Sequence, residues 1–173
     1  MYSKQRLSFI SASLIVFLST SVALAQAQKY SSAVHRIRQE YQTKHFDKAN
    51  EMAQRLLKRQ EASEGKDSPY LIETLNLVIA SACAGKKCAD TTPWLQQLLE
   101  LRAKVLGPDH PHVAVTLAML GENAEMKGEL AKAKQYYKQA LAIRIKVEPA
   151  LVEPTRKNLV RIENKMRSKV TKM

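Results

Sequence analysis

Two cysteines are the side chains in this sequence best placed for covalent chemistry. Cys83 and Cys88 lie five residues apart, and Gly85 between them can end a helix so that the two sulfur atoms meet. In an oxidising compartment we expect this pair to form a structural disulfide, with two free thiols as the alternative. Redox or metal chemistry at the pair is the remaining alternative.

The segment from Asp109 to His112 carries a carboxylate and two imidazoles, which are ligands of transition metals. Its two histidines flank a proline and do not converge on one ion without further ligands. Asp67 and Pro69 occupy the equivalent positions 42 residues earlier, where no histidine is present. The carboxylate and the proline therefore have a structural explanation, and we predict no metal site.

Motifs for catalysis are missing from the chain. It contains no serine-nucleophile motif, no phosphate-binding loop and no glycine-rich dinucleotide turn. Trp94 follows Pro93 at a predicted helix start, and we expect it to cover the core rather than stack on a ligand. We predict no catalytic residue, no cofactor and no small-molecule substrate.

The first 25 residues differ in composition from the rest. Lys4 and Arg6 precede an uncharged run that ends in the small-x-small pattern Ala23-Leu24-Ala25. This is typical of a secretory signal peptide, so we expect residues 1–25 to be cleaved near Ala25 and the protein to be periplasmic or secreted. An uncleaved N-terminal membrane anchor is the alternative, because the run is long enough to span a bilayer.

Composition indicates a folded, basic, helical protein. The 173 residues include 28 Lys or Arg and 16 Asp or Glu, which gives a net charge of +12. With 45% hydrophobic and 25% charged residues, the chain can bury a core and is not dominated by disorder. Five glycines and six prolines argue against a turn-rich β-sandwich.

A repeat of 42 residues organises residues 26–173. Gly65, Asp67 and Pro69 recur as Gly107, Asp109 and Pro111, and apolar residues between these loops advance by three and four. This spacing predicts an all-α solenoid of three helix pairs, at about 31–62, 69–106 and 111–147, with a capping helix at about 154–169. The individual helices are expected at 31–44, 47–62, 69–84, 91–106, 111–127, 129–147 and 154–169.

The third helix pair resembles the tetratricopeptide repeat. The residues that fall on the consensus spacing are Leu117, Leu120, Gly121, Gly128, Ala133, Tyr137 and Ala140. Together with the preceding segment 102–111, the pair resembles the 42-residue variant found in kinesin light chains and many bacterial proteins. The resemblance implies a right-handed superhelix whose concave groove binds an extended peptide or a helix of another protein.

By the same resemblance, the first helix of each pair lines the groove. The residues placed on that side are Glu73, Asn76 and Ala80 of the second repeat and Val115, Ala118, Glu122 and Glu125 of the third. We take Glu73, Asn76, Glu122 and Glu125 as candidate contacts with a partner protein. The alternative, that they are ordinary solvated side chains, remains open.

The last predicted helix is amphipathic and strongly basic. Its apolar residues, among them Leu159, Ile162 and Met166, are expected to cover the end of the solenoid. Its candidate basic surface consists of Arg156, Lys157, Arg161, Lys165, Arg167 and Lys169. The sequence thus predicts an exported, non-catalytic protein-interaction module, and the alternative function is binding of an anionic envelope surface or polymer. Nucleic acid is not expected as a partner, because it fits poorly with export.

Overall fold

The computed structural model describes residues 28–171, with side chains to residue 168, and no strand occurs within that range. The signal peptide predicted for residues 1–25 lies outside the described residues. The helices are α1 (28–42), α2 (Phe46–Glu64), α3 (Leu71–Ala84), α4 (Thr92–Leu106), α5 (Pro111–Met126), α6 (Leu130–Val147) and α7 (Val152–Thr171). Short 3-10 turns, Cys88–Thr91 and Pro149–Leu151, precede α4 and α7.

Each helix packs on its neighbour in the chain, which is the arrangement of a solenoid. The core is formed by three adjoining groups of buried side chains, of which the last includes Tyr137 of α6 and Ile162 of α7. Leu159 and Met166 pack beside Ile162, so the apolar face of α7 covers the final helix pair. The predicted all-α fold is confirmed, and the helix bounds differ from the predicted ones by one to three residues.

The turn between the two helices of a pair has the same backbone geometry in all three repeats. Lys44, Lys86 and Gly128, spaced by 42 residues, have φ angles of 65°, 65° and 74°. The residue after each of them donates a backbone hydrogen bond to a carbonyl five residues earlier, which closes the helix end as in a Schellman motif. The expectation that Gly85 ends its helix by this geometry is wrong, because Gly85 has φ −78° and Lys86 takes the left-handed conformation.

A large and a small side chain meet where the helices of a pair cross. The equivalent buried pairs are Ile37 with Ala53, Ile79 with Leu95, and Gly121 with Tyr137. A Cβ atom added to Gly121 would lie 3.0–3.1 Å from the Tyr137 ring, closer than normal contact allows. The third repeat therefore combines its largest ring with its smallest residue.

The second repeat differs from the others at the start of its second helix. The 3-10 turn Cys88–Thr91 stands where α2 and α6 already form an α-helix. A disulfide bond joins Cys88 to Cys83, near the end of α3. The Cys88 carbonyl accepts a hydrogen bond from Asn123 Nδ2 at 2.6 Å, so this turn also contacts α5.

Candidate binding groove

Side-chain contacts join the first helices of successive repeats on one face of the solenoid. Arg38 Nη2 on α1 donates to Glu73 Oε1 on α3 at 2.5 Å. Arg161 and Lys165 on α7 both donate to Glu125 Oε1 on α5, the lysine at 2.7 Å. The face shared by α1, α3, α5 and α7 is called the groove below.

A buried arginine connects the middle of the groove. Arg102 Nη2 on α4 donates to Asn76 Oδ1 on α3 at 2.9 Å, and its Nη1 donates to Thr116 Oγ1 on α5 at 2.6 Å. Asn76 Nδ2 also donates to the Ile72 carbonyl at 2.8 Å. Burial lowers the pKa of the Arg102 guanidinium from its ordinary value. Asn76 thus sits half-buried in an internal network and does not present a free amide.

The two predicted groove carboxylates of α5 have different surroundings. The Glu125 side chain is only 10% exposed and is held by the two cations of α7. Glu122 is exposed and makes no hydrogen bond or ion pair within the part of the chain that the structure describes. Partial desolvation by the groove raises the pKa of Glu122, although nearby Arg161 lowers it.

The hydroxyl of Tyr137 is buried close to these carboxylates. It has no hydrogen-bond partner among the described residues, and the side chain is fully buried. Burial, reinforced by the negative charges of Glu122 and Glu125, raises the pKa of Tyr137 to about 12. The tyrosine therefore remains protonated at any physiological pH.

A depression of about 920 Å³ opens between α1 and α3 at the first end of the groove. Its walls combine apolar residues such as Tyr30, Val34 and Ile72 with the ion pair of Arg38 and Glu73. The volume falls in the range of ordinary ligand-binding pockets. Of the four predicted groove residues, only Glu73 lines this depression.

Most of the predicted basic surface of α7 is engaged within the chain. Arg156 pairs with Glu153, Arg161 and Lys165 pair with Glu125, and Arg167 also has a partner. Lys157 is exposed, and the side chain of Lys169 lies beyond those described. The structure thus brings two residues of the predicted basic surface and one predicted groove residue into a single ionic cluster.

Sequence reasoning missed the residues that connect the helices of the groove. Arg102 and Arg144 are visible as a match at the 42-residue offset, but their contacts with threonines of the following helix carry no local motif. Arg144 Nη1 donates to Thr155 Oγ1, as Arg102 does to Thr116. Exposed Lys146 and Asp109 repeat the ion pair of Lys104 and Asp67 in the same way.

Metal ligands do not cluster among residues 28–168, where no group of three or more His, Cys, Asp or Glu side chains could hold an ion. His110 Nδ1 instead accepts a hydrogen bond from the backbone N–H of His112 and caps α5. Within the same part of the chain, every helix is too short or too polar to cross a membrane.

Comparison with known proteins gives a family for part of the chain. Residues 73–146 match the family model of the tetratricopeptide repeat. This segment covers the second and third helix pairs and includes all four predicted groove residues. No curated protein sequence matches the chain significantly.

Solved structures of the same fold extend over most of the chain. BtubC (BKLC) from P. vanneervenii superposes with a TM-score of 0.67 at 20% identity, covering 76% of this chain and 54% of that one. Two crystal structures of the nearly identical TPR-like repeats of a candidate kinesin light chain from Podosopora anserina, one of them a single-residue variant, give TM-scores of 0.63 and 0.62. Both match at 18% identity and cover 79% of this chain and 66% of those. The chain thus spans about half to two thirds of the length of these proteins.

Proposed function

Because residues 73–146 belong to the tetratricopeptide repeat family, we propose that the protein is a non-catalytic protein-interaction module that binds a segment of a partner protein in its groove. The groove is formed by helices, contains no catalytic motif in the sequence, and offers both apolar and charged contacts. We also propose that the protein acts outside the cytoplasm, after cleavage of the predicted signal peptide near Ala25.

The observation that carries the binding proposal is that the groove is already organised by contacts within the chain. Arg38 with Glu73, Arg102 with Asn76, and Glu125 with the α7 cations connect neighbouring helices across it. A partner therefore meets a surface whose side chains are ordered before binding. This lowers the entropy lost on association, which is the main cost that a preformed site avoids.

Glu122 is the predicted groove residue best placed to contact a partner without breaking an existing contact. Its carboxylate is exposed, has no ion-pair partner among the described residues, and is partly desolvated. A lysine or arginine of a partner would gain a charge-assisted hydrogen bond there. The same contact would remove the cost of the unpaired carboxylate.

Affinity capture from the envelope fraction of the native host tests this function. We expect Glu122→Lys to lower recovery of a bound protein at least about tenfold, as loss of a central interface contact does. Glu100→Lys, at an exposed glutamate of α4, is the matched control and should leave recovery unchanged. Equal recovery with both variants would contradict the role of the groove.

The salt dependence of the same capture separates the groove from the alternative anionic surface. Groove binding should survive a wash at high salt, whereas binding to an anionic polymer falls steeply as salt rises. Recovery lost in the triple variant Lys165→Gln, Arg167→Gln, Lys169→Gln and in high salt, but kept in Glu122→Lys, would favour the anionic surface instead.

Export has its own test. Protein isolated from the native host should begin at Gln26 and, when denatured, should contain no titratable thiol, because an oxidising compartment preserves the bond between Cys83 and Cys88. An N-terminus at Met1 together with two free thiols would contradict export.

A further inference from the structure

One position of the 42-residue repeat is occupied differently in the first repeat. Arg102 and Arg144 are equivalent, and each donates a hydrogen bond to a buried threonine of the following helix. The equivalent residue in the first repeat is Gln60, near the end of α2. The equivalent of Thr116 is Thr74 on α3.

The glutamine does not replace the contact that the arginines make. Gln60 is 2% exposed and Thr74 is fully buried, yet neither Gln60 Oε1 nor Thr74 Oγ1 has a hydrogen-bond partner among the described residues. Buried polar atoms in folded proteins are nearly always paired. An unpaired carboxamide at a position where the other repeats are bonded to the next helix calls for a partner from outside the chain.

Gln60 lies where such a partner can reach it. It lines the depression of about 920 Å³ between α1 and α3, together with Tyr30 and Val34 on one side and Ile72 on the other. The exposed side chain of Val105 adds an apolar contact at the end of α4. Rotation about the terminal bond of the Gln60 side chain exchanges its oxygen and nitrogen, so either atom can be turned toward the depression.

We propose that this depression binds an extended segment of a partner protein, and that the Gln60 carboxamide pairs with a main-chain amide of that segment. The inference rests on the proposed function and selects one of its two partner classes. A carboxamide carries a donor beside an acceptor, as a peptide group does, so the two can pair through both. A helix uses its main-chain N–H and C=O groups internally, whereas an extended chain leaves them free.

The surroundings of Gln60 favour an apolar residue next to the paired amide. Tyr30, Val34, Ile72 and Val105 provide a surface for one such side chain. The ion pair of Arg38 and Glu73 lies in the same wall and can accept polar groups farther along the segment. The Gln60 amide would fix the register of the peptide, while the apolar surface would supply much of the contact.

The substitution Gln60→Met separates recognition from stability. Methionine has nearly the same shape and removes the unpaired amide, so we expect Tm to rise by about 2–4 °C. The probe is a set of linear dodecapeptides selected from a phage-displayed random library on the intact protein. We expect their affinity to fall at least about tenfold in Gln60→Met, and to remain unchanged in the control Gln139→Met, at an exposed position of α6.

Replacing single peptide bonds of a selected peptide by esters identifies the paired amide. One ester, which lacks the N–H group, should weaken binding to the parent protein about tenfold. The same ester should have no further effect on Gln60→Met, because the two changes remove the same contact.

Several outcomes overturn the inference. It is wrong if Gln60→Met raises Tm and binds the peptides as tightly as the parent, which would indicate an internal water at this site. It is also wrong if the bound peptides are helical. Peptides that lose affinity in Glu122→Lys but not in Gln60→Met would refute it while leaving the proposed function intact, and a library without binders would refute both.

Discussion

At the scale of single residues, the crossing of α5 and α6 depends on Gly121 and Tyr137 together. The equivalent positions hold Ile79 and Leu95 in the second repeat, so similar space is divided in two ways. The small residues were predicted from the spacing of the repeat. The compensation between positions was not, because it requires knowing which residues of the two helices face each other.

This compensation predicts a rescue. Gly121→Ile should destabilise the protein by about 1–3 kcal/mol, because its side chain overlaps the Tyr137 ring. Adding Tyr137→Leu copies the pair of the second repeat and should recover a large part of the loss. Urea unfolding of the parent, the single variants and the double variant measures the coupling, and strictly additive effects would show that the two positions do not share one space.

Tyr137 also makes stability depend on pH in the alkaline range. Its pKa is about 12 in the folded protein and about 10 in the unfolded chain, so the folded state keeps the proton longer. The stabilisation is complete below pH 10 and is lost as pH rises toward 12. At pH 11 the loss should reach about 1 kcal/mol. Tyr137→Phe should remove this part of the slope, and identical slopes in both proteins would contradict the burial of an unpaired hydroxyl.

At the scale of the helices, the turns within the pairs show where sequence reasoning succeeded and where it failed. Gly128 was recognised as a helix-ending residue, because glycine adopts positive φ at little cost. Lys44 and Lys86 take the same geometry without that advantage. Lysine gives no local signal for a left-handed conformation, so the end of α3 was assigned one residue early, to Gly85.

Exchanges at these equivalent turns should have opposite effects. Lys44→Gly should stabilise the protein by about 0.5–1 kcal/mol, because it removes the strain of a side chain at positive φ. Gly128→Lys introduces that strain and should destabilise it by a similar amount. Thermal unfolding of both variants checks the prediction, and effects of the same sign would mean that the turns are not equivalent.

The last helix is attached by charge as well as by its apolar face. Glu125 is nearly buried and shared by Arg161 and Lys165, so removing both cations leaves its carboxylate without a partner. We expect Arg161→Ala with Lys165→Ala to weaken the docking of α7 by about 1 kcal/mol. Hydrogen exchange should become faster in α7 but not in α3. Lys157→Ala, at an exposed position of the same helix, is the control, and equally fast exchange in it would contradict the role of Glu125.

At the scale of the whole molecule, the repeat allowed the helix order to be predicted, since a 42-residue offset assigns each helix from its neighbours. It did not reveal the contacts that connect repeats. Arg102 with Asn76 and Glu125 with α7 join residues 26 to 40 positions apart through long side chains. Such contacts depend on how two helices lie beside each other, and three of the four predicted groove residues proved to be engaged in them.

The central claim is that a protein partner occupies the groove, and site-specific photo-crosslinking in the native host tests it most directly. A benzophenone amino acid at Ala80, exposed on α3 seven residues after Glu73, would report from the groove. The same amino acid at Gln139, exposed on α6, would report from a second helix of a pair. The account predicts a discrete protein adduct from position 80 and none from position 139. Adducts of equal yield from both positions, or none from position 80, would contradict it.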